Sequence, residues 1–277
     1  MIVASDLDGT LLDDSKKVGL KEKVWIERYL EDGNIFVVLT SRNYRDTKKC
    51  IPWLFELKNN QKVYIGYDEG AHVIGTADFS YSSPQLDLHS IKEILEKCRC
   101  VSKSVTIFTN KAIYDVFFSK ISLFLAKLKK ILKGQSIDKT LHIDKITISR
   151  AWKIKLNLLP NLVVDDLYEE LIANLEDFSV TNNEDEIEIM HKMSGKKGAL
   201  QYICGVESQN ISNVIYLGDE GNDKFCMEIT ESYAMGNAPD RIKKIAKHVT
   251  KDNNNGGAYE VFLKIEDSMN IYSNDYV

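Results

Sequence analysis

The sequence predicts an α/β protein: a Rossmann-like, doubly wound parallel sheet core with an inserted α+β domain. Short, fully apolar segments occur near both ends of the chain, as in parallel strands that are covered on both faces. Helical patterns separate these segments. The middle of the chain alternates apolar and polar residues instead, which is typical of an antiparallel sheet. We therefore expect one sheet built from both ends of the chain, with a second domain between them.

The N-terminal part of the chain has the pattern strand, helix, strand. Residues 2–4 form a brief apolar strand that ends at an acidic motif. Residues 19–32 carry apolar side chains at helical spacing, and Gly33 is placed to end that helix. The apolar residues 35–39 form the next strand, and residues 63–65 are a third candidate.

The same order returns near the C-terminus. Residues 197–204 have a helical pattern, and the apolar residues 214–217 form a buried strand. Shorter strand candidates lie at residues 232–235 and 248–250. Because strands joined by helical crossovers pair in parallel, we expect both ends of the chain to share one sheet.

The middle of the chain has the character of a separate domain. Its predicted helices are residues 89–98, 119–132 and 163–175. Its predicted strands are residues 105–108, 146–148, 154–156 and 186–189. We place this domain at residues 80–188, a typical size for a small domain, so that residues 1–79 and 189–277 form a discontinuous core.

The composition is that of a soluble globular protein, with 44% hydrophobic and 28% charged residues among 277. A net charge of −5 disfavours nonspecific nucleic-acid binding, which needs a basic surface. The sequence has no apolar run of about 18 residues and no signal-peptide pattern. We therefore expect a cytoplasmic protein with no membrane partner, present as a monomer or weak homo-oligomer. Its five scattered cysteines predict reduced thiols.

Two carboxylates follow the first strand, in the segment Asp6-Leu7-Asp8-Gly9-Thr10. Ligands of open α/β sheets bind at the carboxyl ends of strands, and Gly9 lets the chain turn there. One carboxylate can attack a phosphoryl group, and the other can move the proton. A simple Asx turn at the end of a strand is the alternative interpretation.

The segment Thr40-Ser41-Arg42 follows the second apolar strand. A hydroxyl group and backbone N–H groups between a strand and a helix can bind an anion such as phosphate. Threonine and serine also cap helices at such positions without any other role.

A second group of oxygen ligands follows strand 214–217, in Gly218-Asp219-Glu220-Gly221-Asn222-Asp223. Carboxylates at the end of a strand suit Mg²⁺, and the spacing of an EF-hand is lacking. Lys196 opens the helix before that strand and could neutralise Asp6 and a phosphoryl group, although lysines are more often simply solvated. Several carboxylates held together need a divalent cation and a lysine.

These four motifs, in their order along the chain, resemble those of the haloacid dehalogenase superfamily and more closely those of its Cof-type phosphatase branch, subfamily IIB. The resemblance covers the whole chain and includes a trailing segment, residues 234–238. It implies that the inserted domain is a cap that closes over the substrate. It also implies a Mg²⁺-dependent phosphatase.

The resemblance implies a role for each motif residue. Asp6 would be the nucleophile and a Mg²⁺ ligand, and Asp8 the general acid and base with its backbone carbonyl on the metal. Lys196 would stabilise the phospho-aspartate. Asp219 and Asp223 would complete the metal site. The residues implied to hold or support the phosphoryl group are Thr40, Ser41, Arg42 and Asn222.

The chain departs from the family pattern at three points. Ser41 replaces the usual glycine, and its amide can serve the same purpose. Glu69 replaces the usual asparagine before Gly70, which leaves the contact of that side chain open. The catalytic lysine is Lys196 by its spacing to the residues that follow, whereas Gly198 favours Lys197.

The motif set predicts hydrolysis of a phosphomonoester of a small metabolite, with a sugar phosphate as the expected substrate. Phosphoryl transfer by a mutase uses the same nucleophile and is a second hypothesis. A binding module without activity is a third, since the fold alone does not determine function.

Overall fold

The computed structural model describes residues 1–57, 61–160, 162, 164–183 and 186–274. The chain divides into two compact units. The first unit combines Met1–Ser83 with Gly195–Val277, and the second is Pro84–Ser194. The units divide at Ser83/Pro84 and Ser194/Gly195. The joints predicted from the sequence lie a few residues earlier, near residues 80 and 188. Among the described residues, no helix is both long and apolar enough to cross a bilayer.

The strands are numbered in chain order. They are β1 Ile2–Ser5, β2 Ile35–Leu39, β3 Lys62–Tyr67, β4 His72–Gly75, β5 Ser80–Ser82, β6 Leu86–Asp87, β7 Ser102–Phe108, β8 Ile113–Phe117, β9 Thr140–His142, β10 Arg150–Ala151, β11 Lys153–Leu158, β12 Phe178–Asn183, β13 Glu186–His191, β14 Ile215–Gly218, β15 Glu231–Ala234 and β16 His248–Val249.

The α-helices follow the same numbering. They are α1 Leu20–Glu31, α2 Tyr44–Cys50, α3 Leu88–Lys97, α4 Lys120–Leu132, α5 Val164–Asn174, α6 Gly195–Val206, α7 Lys224–Met227, α8 Asp240–Lys243 and α9 Gly257–Asn274. Residue 163, the first of the predicted helix 163–175, lies outside the described residues.

The first unit contains one sheet with the strand order β16-β15-β14-β1-β2-β3-β4-β5. The strands from β16 to β3 are parallel, and β4 and β5 extend the sheet by antiparallel pairing. β1, from the N-terminal segment, pairs with β14, from the C-terminal segment. The predicted α/β class and the single sheet built from both ends of the chain are confirmed.

Cover on both faces explains the fully apolar strands. Phe36 and Val38 of β2 pack into one apolar cluster together with α1 and α9, where Trp25 stacks on Phe262 at a centroid distance of 4.2 Å. Val37 alternates with them and packs into a second cluster beneath α6. Burial on both faces leaves no polar position in such a strand.

The second unit contains a six-stranded sheet with the order β12-β13-β11-β7-β8-β9. Among the described residues of this sheet, only β8 and β9 pair in parallel, so the sheet is mixed, in agreement with the predicted inserted α+β domain. Apolar side chains of α3 and α5, such as Ile91 and Leu171, pack against it.

Two features of this unit differ from the expected pattern. The predicted strand at 146–148 is wrong, because those residues follow a short 3₁₀ turn at Ile143–Lys145 and pair with no strand. Ile146 and Ile148 nevertheless pack into the apolar cluster of the unit, which accounts for their alternation. The amphipathic face of α4 is exposed, with Ile121 74% and Phe124 65% accessible.

Candidate active site

The first strand delivers Asp6 to the carboxyl edge of the sheet. The Asp6 amide donates to the carbonyl of Leu217 at 2.9 Å, so β1 and β14 end together. The chain then turns through Gly9, whose φ of +67° lies in the left-handed region. A Cβ atom at Gly9 would lie 2.1 Å from Oδ2 of Asp219, so the close approach of the two strand ends requires glycine.

Asp6, Asp219 and Asp223 form a buried cluster, in which one carboxylate oxygen of each lies within 4.8 Å of the others. Asp219 accepts hydrogen bonds from the Thr10 hydroxyl at 3.1 Å and from the Asn237 amide at 3.0 Å. These bonds orient its carboxylate toward the cluster.

Asp223 is fully buried and serves two purposes in the turn after β14. Its Oδ2 accepts from the backbone amides of Asp219 and Glu220 at 3.0 and 3.1 Å, which holds this turn closed. Its Oδ1 accepts from the Tyr216 hydroxyl at 2.5 Å and from Lys196 at 2.9 Å.

Lys196 lies at the start of α6 and is only 2% exposed. Its Nζ donates to Oδ1 of Asp6 at 2.6 Å, to Asp223 as described above, and to Oδ1 of Asn222 at 3.2 Å. Lys197 instead lies against the ring of Phe225, with its Nζ 5.7 Å from the ring centroid. The geometry therefore places Lys196, and not Lys197, among the carboxylates.

Burial and repulsion between neighbouring carboxylates raise the pKa values of two of these groups, Asp6 and Asp219. Burial, opposed by the charge of Lys196 and supported by the carboxylates of Asp223 and Asp219, holds the pKa of Asp6 well above its usual range. Burial and the Asp223 carboxylate raise the pKa of Asp219 to about 7. Burial would lower the pKa of Lys196, but Asp223 and Asp6 outweigh it and raise that pKa.

The cluster is well suited to a divalent cation. Three carboxylates are the hard oxygen ligands that Mg²⁺ and similar ions prefer, and Lys196 supplies one positive charge among them. The residues that would hold the ion are Asp6, Asp219 and Asp223, with the Asp8 backbone carbonyl directly after the strand.

The carboxylate of Asp8 is bound by two positively charged side chains. Arg42 binds it in a bidentate manner, through Nε at 2.5 Å and Nη2 at 2.7 Å, and Lys16 donates to it at 2.8 Å. Burial would raise the pKa of Asp8, but these hydrogen bonds outweigh burial and lower the pKa to about 2. In this arrangement Asp8 is ionised, so it must leave Arg42 before it can carry a proton.

The segment Thr40-Ser41-Arg42 leads into this pairing of Asp8 with Arg42. The Thr40 amide donates to the Gly66 carbonyl at 2.9 Å, and the Thr40 hydroxyl accepts from the Arg42 amide at 3.2 Å. Ser41 is exposed. Asn43 then caps α2 by accepting from the Asp46 amide at 3.0 Å. A short turn between β2 and α2 with an exposed serine fits the anion site predicted here.

Two contributors to this site were not predicted from the sequence. Glu69 is 1% exposed, and its two carboxylate oxygens lie 3.2 and 3.1 Å from Nδ2 of Asn222. In the sequence, Glu69 stands where the family pattern has asparagine, but nothing there indicates which residue its side chain contacts. Tyr216 lies inside an apolar strand, where nothing in the sequence distinguishes a hydroxyl that bonds a carboxylate from one that packs in the core.

Comparison with known proteins agrees with this geometry. A family model described as haloacid dehalogenase-like hydrolase matches residues 3–262. A phosphatase of Bacillus subtilis, 5-amino-6-(5-phospho-D-ribitylamino)uracil phosphatase YitU, is 26% identical over 275 residues, covering 95% of this chain and 96% of its own. A Buchnera aphidicola protein provisionally named a phosphatase is 28% identical over 250 residues, covering 88% of this chain and 89% of its own.

A solved structure has the same architecture. The subclass IIB sugar phosphatase BT4131 superposes with a TM-score of 0.70 at 13% identity, covering 96% of this chain and 98% of its own. That likeness supports the fold, including the inserted sheet. With the family model matching nearly the whole chain, we conclude that the protein belongs to the haloacid dehalogenase-like hydrolases of the Cof type and is a phosphatase.

Proposed function

We propose that the protein hydrolyses a phosphomonoester of a small metabolite through an aspartyl-phosphate on Asp6, with Mg²⁺ as its cofactor. The observation that supports this most is the Asp6 carboxylate itself, buried beside Asp219 and Asp223 and held at 2.6 Å by Lys196. A carboxylate at the end of a strand with a fixed counter-charge is placed to attack phosphorus. Bound Mg²⁺ would offset the negative charge of the carboxylates and the phosphoryl group.

The reaction has two steps. In the first, Asp8 has left Arg42 and taken up a proton from solvent. An oxygen of Asp6 then bonds to phosphorus, the bond to the leaving oxygen breaks, and Asp8 gives that oxygen its proton. In the second, Asp8 takes a proton from water as the water attacks phosphorus, and the bond to Asp6 breaks to release phosphate. Lys196 stabilises the charge on the phosphoryl oxygens in both steps.

The remaining motif residues would hold the phosphoryl group. Thr40 and the Ser41 amide would contact its oxygens, and Asn222 lies next to Lys196. Arg42 is paired with Asp8 in this structure. A phosphate group that draws Arg42 away would free Asp8 for proton transfer, which would couple substrate binding to general acid catalysis.

We propose a sugar phosphate, or a metabolite carrying a phosphorylated polyol chain, as the substrate. One relative acts on a ribitylaminouracil phosphate and one structural neighbour is a sugar phosphatase, by their names. The inserted unit Pro84–Ser194 would act as the cap that selects among such compounds.

Phosphate release tests the proposal. Purified protein with Mg²⁺ should release phosphate from p-nitrophenyl phosphate, and EDTA should stop the release. A screen of phosphorylated sugars, polyols and nucleotides should then identify a compound with a much higher kcat/KM. Failure to release phosphate from any compound of the screen would contradict the proposal.

Metal binding should depend on pH. We expect Mg²⁺ to raise the melting temperature more at about pH 8 than at about pH 5.5, because protons compete for the carboxylates as the pH falls below 7. A raised folded-state pKa means that the metal-free protein loses stability as the pH rises through that value, and the cation offsets this loss. Mg²⁺ at about 100 times its Kd should stabilise the folded protein by about 2.7 kcal/mol, which corresponds to a rise in melting temperature of about 5–10 °C.

Thermal melting with Mg²⁺ or EDTA at the two pH values measures this difference. Asp219→Asn, which removes one ligand and one titrating group, should remove most of the shift. Equal shifts at both pH values would show that these carboxyl groups do not bind the ion.

A further inference from the structure

We infer that Glu69 is a positioning residue of this site: it orients the side-chain amide of Asn222, and that amide holds Lys196 toward Asp6. The inference rests on the proposed function, in which Lys196 stabilises the phosphoryl group. Glu69 is one of the departures from the family pattern, which has asparagine at this position.

A continuous chain of hydrogen bonds connects Glu69 to the nucleophile. Both Glu69 oxygens accept from Nδ2 of Asn222, at 3.2 and 3.1 Å. Oδ1 of Asn222 accepts from Nζ of Lys196 at 3.2 Å, and Lys196 donates to Asp6 at 2.6 Å. Glu69 and Lys196 are 1% and 2% exposed, so water does not compete freely for these contacts.

The chemistry of the three side chains determines which group donates and which accepts in each of these hydrogen bonds. A carboxylate can only accept, and an ammonium group can only donate. With Glu69 on one side and Lys196 on the other, only one orientation of the Asn222 amide satisfies both: NH₂ toward Glu69 and oxygen toward Lys196. Without Glu69, the amide could turn over and present its NH₂ group to the ammonium of Lys196.

The backbone at Glu69 provides independent support. Asp68, Glu69 and Gly70 have φ values of 50°, 61° and 76°, in the left-handed region. Asparagine, aspartate and glycine tolerate this region, but glutamate is rarely found there. A residue that suits the backbone poorly indicates that its side chain is needed.

The turn that carries Glu69 also abuts the helix that carries Lys196. The Glu69 amide donates to the Thr40 carbonyl at 3.0 Å, which anchors the turn to the phosphate-binding motif. A Cβ atom at Gly70 would lie 3.0 Å from the carbonyl oxygen of Gly195, the first residue of α6. The backbone therefore fixes the position from which Glu69 reaches Asn222.

Exchange of donor and acceptor between the two positions tests the inference. We expect Glu69→Gln to lower kcat about tenfold with KM little changed, because the lost interaction acts on the transition state. Asn222→Asp alone should lower kcat further, since it places a second carboxylate against Glu69. The double variant Glu69→Gln/Asn222→Asp restores a matched pair, and the new carboxylate can still accept from Lys196. It should recover most of the loss caused by Asn222→Asp.

Two controls separate this role from a structural one. Glu69→Asn suits the left-handed backbone but is too short to keep both contacts, so it should fold normally and still lose kcat. Thermal melting of each variant verifies folding. Wild-type kcat in Glu69→Asn, or multiplicative losses in the double variant, would overturn the inference even though the wild-type protein is a phosphatase.

A readout independent of activity completes the test. The Asn222 side-chain NH₂ protons, assigned by their loss in Asn222→Asp, should exchange slowly in the wild-type protein and at least tenfold faster in Glu69→Asn. Unchanged exchange would also overturn the inference. A wild-type protein that released no phosphate would contradict the proposed function instead, and the exchange measurement would still decide the role of Glu69.

Discussion

Replacing Asp6 with asparagine is expected to lower the rate of phosphate release by about 10⁴-fold or more, as the loss of a nucleophile does in other enzymes. The amide nitrogen and oxygen of asparagine attack phosphorus far more weakly than a carboxylate. The substitution also removes one of the three carboxylates that would bind the cation. Both effects act on the chemical step, so weaker substrate binding alone will not account for the loss.

The fold should survive this change. Burial raises the pKa of Asp6, so its negative charge is unfavourable in the metal-free protein, and a neutral side chain of the same size relieves that cost. Asp223 still accepts from Lys196. We therefore expect a melting temperature in EDTA equal to or above that of the wild-type protein.

An exposed aspartate provides the matched control. Asp240→Asn makes the same chemical change at the exposed first residue of α8 and should leave phosphate release unchanged. Initial rates of phosphate release, normalised to folded protein, measure both variants. Turnover by Asp6→Asn within tenfold of the wild-type rate would exclude Asp6 as the nucleophile.

Much of the core fold could be predicted because each buried parallel strand must be apolar on both faces. The segments 35–39 and 214–217 are unbroken apolar runs, and the structure confirms β2 and β14 there within one residue. The antiparallel strands β4 and β5 were not predicted. They lie at the edge of the sheet, where half-exposed residues such as Ile74 and Tyr81 alternate weakly.

Those residues of the site that directly follow a strand could be predicted from the sequence. Asp6 and Asp219 follow paired strands, so sequence alone placed them at one edge of the sheet. The contacts of Glu69 and the pairing of Asp8 with Arg42 depend on side-chain directions across the sheet. Periodicity carries no information on such directions, which is why these contacts appear only in the structure.

The choice between Lys196 and Lys197 has a clear experimental consequence. Lys196→Met is expected to destabilise the metal-free protein by about 3–5 kcal/mol, the usual cost of removing one partner from a buried ion pair. The substitution leaves the carboxylates of Asp6 and Asp223 buried without the ammonium group that bonds both. It should also reduce phosphate release by about 10²–10³-fold, because a fixed positive charge no longer faces the developing negative charge.

The loss of stability should itself depend on pH and on metal. Removing Lys196 raises the pKa of Asp6 further, so the metal-free protein should lose stability as the pH rises through that pKa and Asp6 must ionise. Mg²⁺ should recover part of the lost stability, because a divalent cation replaces the missing charge. Thermal melting in EDTA and in Mg²⁺ across a range of pH values measures both effects.

Lys197→Met is the matched control, one residue along the same helix. The Lys197 side chain is partly exposed and its Nζ lies 5.7 Å from the centre of the Phe225 ring, so methionine should preserve most of its packing. We expect unchanged activity and a change in stability within about 0.5 kcal/mol. If Lys197→Met abolished phosphate release and Lys196→Met did not, the helix would have to present its other lysine to Asp6. The whole arrangement of Lys196, Asn222 and Glu69 would then be wrong.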